Sequence, residues 1–265
     1  MEVVFGFSLL GGIDSSVVSV GSFDGVHAGH RAIMSRMNTL RDGLKAKSGK
    51  QTKSVVVTFA PHPRHFIGGE DSFKLLNTLE EKIRLVESCG IDVMVVATFD
   101  KAFMNTTSAQ FFDILVDKLS MKILMAGYNH RLGCDGAGGL ESLSLLAHGH
   151  GVGVEVLPEL FVGGLKVSST VVRNTILDGD MKLAGELLCR NYSAVVDYID
   201  SKLVVPSQKL LPPPNRYAVR VSSMCGNVLV DRAFIAVCER GSIEFDLCDN
   251  HECLSAQDKI IVEFV

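Results

Sequence analysis

Five short runs of residues, each with apolar side chains at adjacent positions rather than at every second one, limit the folds open to this chain. They are residues 17–21, 54–59, 91–97, 121–126 and 152–157, rich in Val, Ile and Met. A strand apolar on both faces belongs in a sheet covered on both sides, as parallel sheets are. Between the runs the hydrophobic period changes. Ile33, Met37, Leu40 and Leu44 share one helical face. Thr78 with Glu81, and Thr107 with Gln110, have the spacing of capping boxes, and Gly90 stands where a helix should stop. Phe111, Phe112, Leu115 and Leu119 follow the second box. Strand alternating with helix predicts an α/β fold wound through right-handed crossovers around a parallel sheet. Ligands on such sheets bind beyond the carboxyl ends of the strands.

From about Tyr192 the pattern changes. Residues 202–205, 217–221, 227–230, 233–238, 242–247 and 259–264 read as strands separated only by turn residues, with three consecutive prolines at 212–214. A small all-β domain of roughly 70 residues is expected, too small to build an ample core alone. With 47% hydrophobic and 21% charged residues, disorder is excluded as the main state. A net charge of −4 argues against a nucleic-acid partner. No apolar run approaches a membrane span, and Glu2 ahead of the short apolar start does not suit a signal peptide. Seven cysteines with no CxxC pair suggest free thiols in a reducing cytoplasm rather than a zinc ribbon or disulfide scaffold.

Four loops carry chemistry. The first, Gly21-Ser22-Phe23-Asp24-Gly25-Val26-His27-Ala28-Gly29-His30, leads from a strand into a helix. Unpaired N–H groups and the helix dipole favour phosphate there, two imidazoles can donate to it, and Gly29 lets a ligand approach the backbone. No P-loop or GxGxxG arrangement is present. The second loop, Thr58-Phe59-Ala60-Pro61-His62-Pro63-Arg64-His65-Phe66, mixes aromatic rings with basic groups and suits a flat ring bearing a phosphate. In the third, Gly127-Tyr128-Asn129-His130-Arg131-Leu132-Gly133, Asn129 can pair with a heterocycle and Arg131 can reach phosphate. The fourth, Val167-Ser168-Ser169-Thr170-Val171-Val172-Arg173, is a helix cap that brings Arg173 near hydroxyls and N–H groups suited to polyphosphate.

Together these segments resemble the bacterial FAD synthetases, the bifunctional riboflavin kinase/FMN adenylyltransferases of the HxGH nucleotidyltransferase superfamily. The resemblance spans about residues 17–192, and the Phe59-x-Pro61-His62-Pro63 loop narrows it to the flavin members. It implies a Rossmann-like nucleotidyltransferase domain over residues 1–190 and a truncated riboflavin-kinase-like, barrel-like β domain over residues 191–265. It also implies FMN and ATP as substrates, Mg²⁺ as cofactor, and FAD and pyrophosphate as products. By the family pattern His27, His30 and Arg173 are catalytic. Gly21, Phe23, Asp24, Gly29, Ser168, Ser169 and Thr170 bind the ATP phosphates. Phe59, His62, Pro63, Asn129 and Arg131 border FMN. No metal ligand is assigned, and the oligomeric state stays open.

The chain also departs from the pattern. His130 and Leu132 replace the usual aromatics of the third loop, and the segment ending the family domain reads Leu188-Cys189-Arg190-Asn191-Tyr192. The kinase's Gly-Phe-Pro-Thr-Ala-Asn type segment is missing, and no threonine follows Thr175. The departures imply loss of kinase activity. They leave as alternatives a non-catalytic flavin-nucleotide-binding homologue and an HxGH nucleotidyltransferase with another phosphate acceptor.

Overall fold

The computed structural model describes residues 1–8, 11–64, 73–133, 139–199, 202–238, 242–245, 254 and 259–265. They form two compact units: Met1–Phe73 with Ile83–Leu160, and Lys74–Lys82 with Phe161–Val265.

The first unit is built on a six-stranded, wholly parallel sheet. Its strands are β1 (Glu2–Phe5), β2 (Ser15–Val20), β3 (Thr52–Ala60), β4 (Val93–Thr98), β5 (Met121–Gly127) and β6 (Gly153–Leu157), in the spatial order β1-β4-β3-β2-β5-β6. Because side chains alternate along a strand, Val18, Val20, Val55, Val57, Val93 and Val95 share one face. They pack there with Phe111, Phe112, Leu115 and Leu119. The intervening residues Val17, Val56, Met94 and Val96 are buried as well. This double burial is why the runs carry no polar alternation.

Helix α1 (Ala28–Ser48) buries Ala28, Ile33, Met34 and Met37 and ends at Gly49, whose φ of 67° suits a glycine. Helix α2 (Leu79–Ser88) starts at the Thr78/Glu81 box, with Thr78 N–H donating to Glu81 Oε2 at 2.8 Å and Glu81 N–H to Thr78 Oγ1 at 3.3 Å. A short α3 (Lys101–Met104) precedes α4 (Ser108–Leu119), which carries the complete Thr107/Gln110 box. Helix α5 (Leu140–Gly149) leads to β6.

One expectation needs correction here. The fifth apolar run was expected to be buried on both faces, yet β6 is partly exposed and Val156 is 40% accessible. It is the last strand of the sheet and, among the described residues, pairs with β5 alone. At the other edge, β1 was not predicted, because its four residues are too few to show a period.

The second unit contains a closed antiparallel barrel. Its strands are β9 (Ser193–Ile199), β10 (Lys202–Val204), β11 (Asn215–Ser223), β12 (Val228–Val237), β13 (Ile243–Phe245) and β14 (Lys259–Phe264), in the order β10-β13-β12-β11-β14-β9. Residues 227–230 and 233–238, expected as two strands, form the single strand β12. Asp231 and Arg232 do not turn the chain; they lie exposed within the strand, and Asp231 accepts from Arg220 Nε at 3.0 Å. Strand β9 was not predicted, and residues 246–247 of the expected 242–247 strand lie outside the described residues. Ahead of the barrel come a hairpin, β7 (Phe161–Val162) with β8 (Leu165–Lys166), and helices α6 (Ser169–Leu177) and α7 (Met181–Leu188). Tyr192 is wholly buried in this unit.

Among the described residues no helix is long and apolar enough to cross a membrane. Cys89, Cys189, Cys225 and Cys238 are free thiols; the other three cysteines lie outside the described residues.

Candidate active site

In the first unit the chain moves outward from β2 in both directions: through β3 and β4 on one side, through β5 and β6 on the other. A sheet of this order opens a crevice at the carboxyl ends of the strands beside the reversal. The loops after β2, β3, β4 and β5 line one cleft of about 620 Å³.

The loop after β2 is tightly wound. Gly25 takes φ 88°, as glycine readily does, but Phe23 and Val26 also take positive φ, 47° and 40°. A β-branched residue in that region is strained, and strain of this kind is held by surrounding structure and gathers at functional sites. The surroundings here are tight: Phe23, Asp24, Val26 and His27 are all buried. A β-carbon on Gly21 would come within 3.3 Å of the Phe23 ring, and one on Gly29 within 3.2 Å of His27 Cε1.

The loop delivers His27 as the N-cap of α1. Its Nδ1 accepts from the His30 N–H at 3.4 Å. A ring nitrogen that accepts carries no proton, so in the neutral ring the proton sits on Nε2. The His27 and His30 rings stack at 3.7 Å and 15°, and Phe23 meets His30 edge-on at 5.1 Å. Two imidazoles are thus aligned at a helix start that also offers unpaired N–H groups and positive dipole.

Of the expected flavin-side residues, Phe59, His62, Pro63 and Arg131 line the cleft, as does Gly21 from the first loop. His62 Nδ1 accepts from the Arg64 N–H at 3.2 Å, and its ring lies 5.2 Å from Phe73. His65 and Phe66 lie outside the described residues. Asn129 is exposed and is not among the lining residues.

The sequence reading missed Phe99, Phe103, Met104, Thr106 and Phe111, which also line the cleft. Phe59 meets Phe99 at 5.7 Å and Phe103 at 5.4 Å, and Phe103 meets Phe111 edge-on at 5.0 Å, forming an aromatic wall. Phe99 and Phe103 follow β4 at its carboxyl end, but an aromatic residue there is as common in a core as in a binding site.

The two departures of the third loop have different surroundings. Leu132 lines the cleft from within the core cluster, where it is buried. His130 lines the cleft, and its Nε2 is buried with no hydrogen-bond partner among the described residues. Burial lowers its pKa from 6.5 to about 4, so the ring is neutral near pH 7. Gly133 closes the loop at φ 79°, and any β-carbon there would lie 2.2 Å from the Ser108 nitrogen.

Ser168, Ser169, Thr170 and Arg173 belong to the second unit. Ser168 caps α6, its hydroxyl accepting from the Val171 N–H at 3.2 Å. Arg173 Nη1 donates to the Lys74 carbonyl.

The FAD synthetase family model matches residues 13–171. The chain belongs to the FAD synthetase family. The match takes in all four loops except Val172 and Arg173, the last two residues of the fourth. Relatives agree with this placement among nucleotidyltransferases. The chain is 30% identical over 257 residues to the bifunctional riboflavin kinase/FMN adenylyltransferase of Buchnera aphidicola subsp. Schizaphis graminum, covering 91% of this chain and 78% of that one. It is 27% identical over 266 residues to the enzyme of the same description from Bacillus subtilis, covering 92% and 82%. Against that from Escherichia coli K12 the match is 32% over 177 residues, covering 66% of this chain and 54% of the other. A solved structure described as a macrolide-efflux protein from Streptococcus pneumoniae superposes with a TM-score of 0.83 over 100% of this chain and 98% of the other. At 24% identity it shows a shared fold and nothing about transport.

Proposed function

We propose that this FAD synthetase family member is an FMN adenylyltransferase without riboflavin kinase activity. An oxygen of the FMN phosphate attacks the α-phosphorus of ATP, the bond to the β-phosphate oxygen breaks, and FAD and pyrophosphate form. No protein nucleophile is needed, so positioning and stabilisation of developing charge supply the catalysis.

The observation that carries this reading is the cleft of about 620 Å³, which joins an aromatic wall to the loop ending in the stacked His27 and His30. Phe59, His62, Pro63 and Arg131 would border the flavin, with Phe99 and Phe103 added, and Asn129 would meet the FMN phosphate region. His27 and His30 would hold the ATP phosphates. Gly21, Phe23, Asp24 and Gly29 would frame the turn that presents them. Ser168, Ser169, Thr170 and Arg173 would bind the polyphosphate. The functional division proposed is residues 1–190 for nucleotidyl transfer and 191–265 for a riboflavin-kinase-like β domain. Mg²⁺ would arrive on the ATP phosphates: among the described residues no three ligating side chains gather to hold a cation, and Mg²⁺ is commonly held by few protein groups plus phosphate. The free thiols suit a cytoplasmic setting.

The test is purified protein with FMN, ATP and Mg²⁺, the flavins separated by chromatography, with riboflavin as a parallel substrate. FAD from FMN and no product from riboflavin is the expected result. FMN from riboflavin would overturn the loss of kinase activity. Bound FMN with no FAD would favour the non-catalytic homologue, and pyrophosphate release with another phosphate acceptor would change the substrate.

A further inference from the structure

The second unit contains a buried ion pair that the proposed chemistry does not use. Lys209 Nζ lies 2.7 Å from Glu81 Oε2, with side-chain exposures of 0% and 4%. Buried pairs of this kind are poor sources of stability, so a role in holding a particular arrangement is worth seeking.

The pair fastens residues 74–82 to residues 206–210. Lys209 Nζ also donates to the Leu76 carbonyl at 2.7 Å and sits 4.5 Å from the centre of the Tyr192 ring. The Tyr192 hydroxyl lies within reach of the Leu76 and Leu210 carbonyls, at 3.2 and 2.8 Å. Glu81 Oε1 accepts from the Val195 N–H at 2.7 Å, which ties the same carboxylate to β9. Leu75 and Lys209 pair as an isolated parallel bridge: Leu75 N–H donates to the Gln208 carbonyl at 2.6 Å, and Leu210 N–H to the Leu75 carbonyl at 2.8 Å. Lys74 Nζ adds a bond to the Ser207 carbonyl at 2.7 Å.

One peptide unit joins this fastening to the proposed polyphosphate site. The Leu75 N–H and the Lys74 carbonyl belong to the same planar trans peptide and point in opposite directions. The N–H is held by Gln208, and the carbonyl accepts from Arg173 Nη1. Whatever sets the plane of that peptide therefore sets the direction of the acceptor that Arg173 meets.

We infer that Lys209 and Glu81 are positioning residues for adenylyl transfer: through the Lys74–Leu75 peptide they aim the Arg173 guanidinium. The inference rests on the proposed role of Arg173 toward ATP. It gives the kinase-like barrel a task that survives the loss of its kinase segment, because the residues 206–210 that hold the peptide precede β11 of that barrel.

The experiment compares the Glu81→Gln/Lys209→Met double variant with Arg173→Ala and the triple variant, using the full chain. Replacing both partners leaves no unpaired buried charge, so the fold should persist. The expected result is a fall of about tenfold in kcat/KM for ATP in the double variant, since small misplacements at a reacting centre are costly. FMN affinity should stay within about twofold. On the Arg173→Ala background the same two substitutions should cost less than about twofold, the mark of residues acting through one another. If Arg173→Ala is impaired while the double variant matches wild type, or if the two losses multiply, the inference is wrong. If Arg173→Ala is fully active, the proposed role of Arg173 fails and the inference falls with it. Should the double variant not fold, Tyr192→Phe, which removes one hydroxyl from the same fastening, replaces it in the same comparison and is judged by the same outcomes.

Discussion

Helices α1 and α6 carry the two groups of residues proposed to meet ATP phosphates, and they begin in opposite ways. Helix α1 is entered through positive-φ backbone at Phe23 and Val26, and its cap is the ring of His27, only 6% exposed. Helix α6 is entered through extended backbone at Ser168, φ −157° and ψ 159°, with a hydroxyl cap and with Thr170 exposed. The first start is strained and enclosed, so its donors are held at fixed points by the core around them. The second is ordinary and open, so the aim of Arg173 depends on supports such as the Lys74 carbonyl. Damage to the first should therefore appear in the chemical step, and damage to the second in the handling of ATP.

The largest expected effect is that of His30→Ala. Losing one pre-aligned donor to developing charge costs about 3 kcal/mol of barrier, roughly a hundredfold in kcat. FMN affinity and melting temperature should change little. Near-full turnover in this variant would remove the enclosed helix start from the chemistry and break the contrast with α6.

Next comes the price of holding a half-buried polar ring, its Nε2 without a partner among the described residues, in the first unit. Because burial lowers the His130 pKa from 6.5 to about 4, the unfolded chain takes up that proton first on acidification. Stability present above about pH 6.5 is thus withdrawn as the pH falls toward 4, by about 3 kcal/mol in all. His130→Phe abolishes that contribution. Melting temperatures measured from pH 7 to 4 should fall less steeply in the variant, with the two proteins diverging only below about pH 6.5. Parallel curves would mean that the ring is hydrated and the cleft wall less enclosed than its geometry indicates.

Much of this organisation was legible in the sequence, for identifiable reasons. The central strands announced themselves because both faces are buried. The Thr78/Glu81 and Thr107/Gln110 boxes and the cap of the fourth loop at Ser168 appeared where short-range spacing placed them; the capping by His27 came from the structure. Features set by long-range pairing were not legible. Strand β6 has the same apolar composition as its neighbours, and only its place at the edge exposes Val156. Residues 74–82 look like the approach to an ordinary helix of the first half. Nothing local reveals that Glu81, besides capping that helix, pairs with Lys209, 128 residues away. In the candidate site, the histidines and the stiff proline loop stood out by composition. Phe99 and Phe103 did not, since aromatic residues near a strand end are equally common in cores.

His27 separates capping from chemistry within the enclosed start. His27→Ala removes both, and should lower stability by about 1 kcal/mol while reducing kcat. His27→Asn supplies a side chain able to accept from the His30 N–H, so stability should return and turnover should not. Recovery of both would show that the ring serves only to begin the helix, which would make α1 no different in kind from α6.

The smallest effect is expected at the open start, and it sharpens the contrast most directly. Ser168→Ala deletes the oxygen that accepts from the Val171 N–H, which should cost α6 about 1 kcal/mol and raise the KM for ATP by about threefold with kcat nearly unchanged. Ser168→Asp keeps a competent cap and places negative charge on the positive end of the helix dipole, so stability should equal or exceed that of the wild type. The same charge repels a polyphosphate, so the KM for ATP should rise further than in the alanine variant. Stability and ATP affinity then move in opposite directions between two substitutions of one residue. If instead they move together, Ser168 is a cap alone, and recognition of ATP at α6 narrows to Thr170, the helix N–H groups and Arg173.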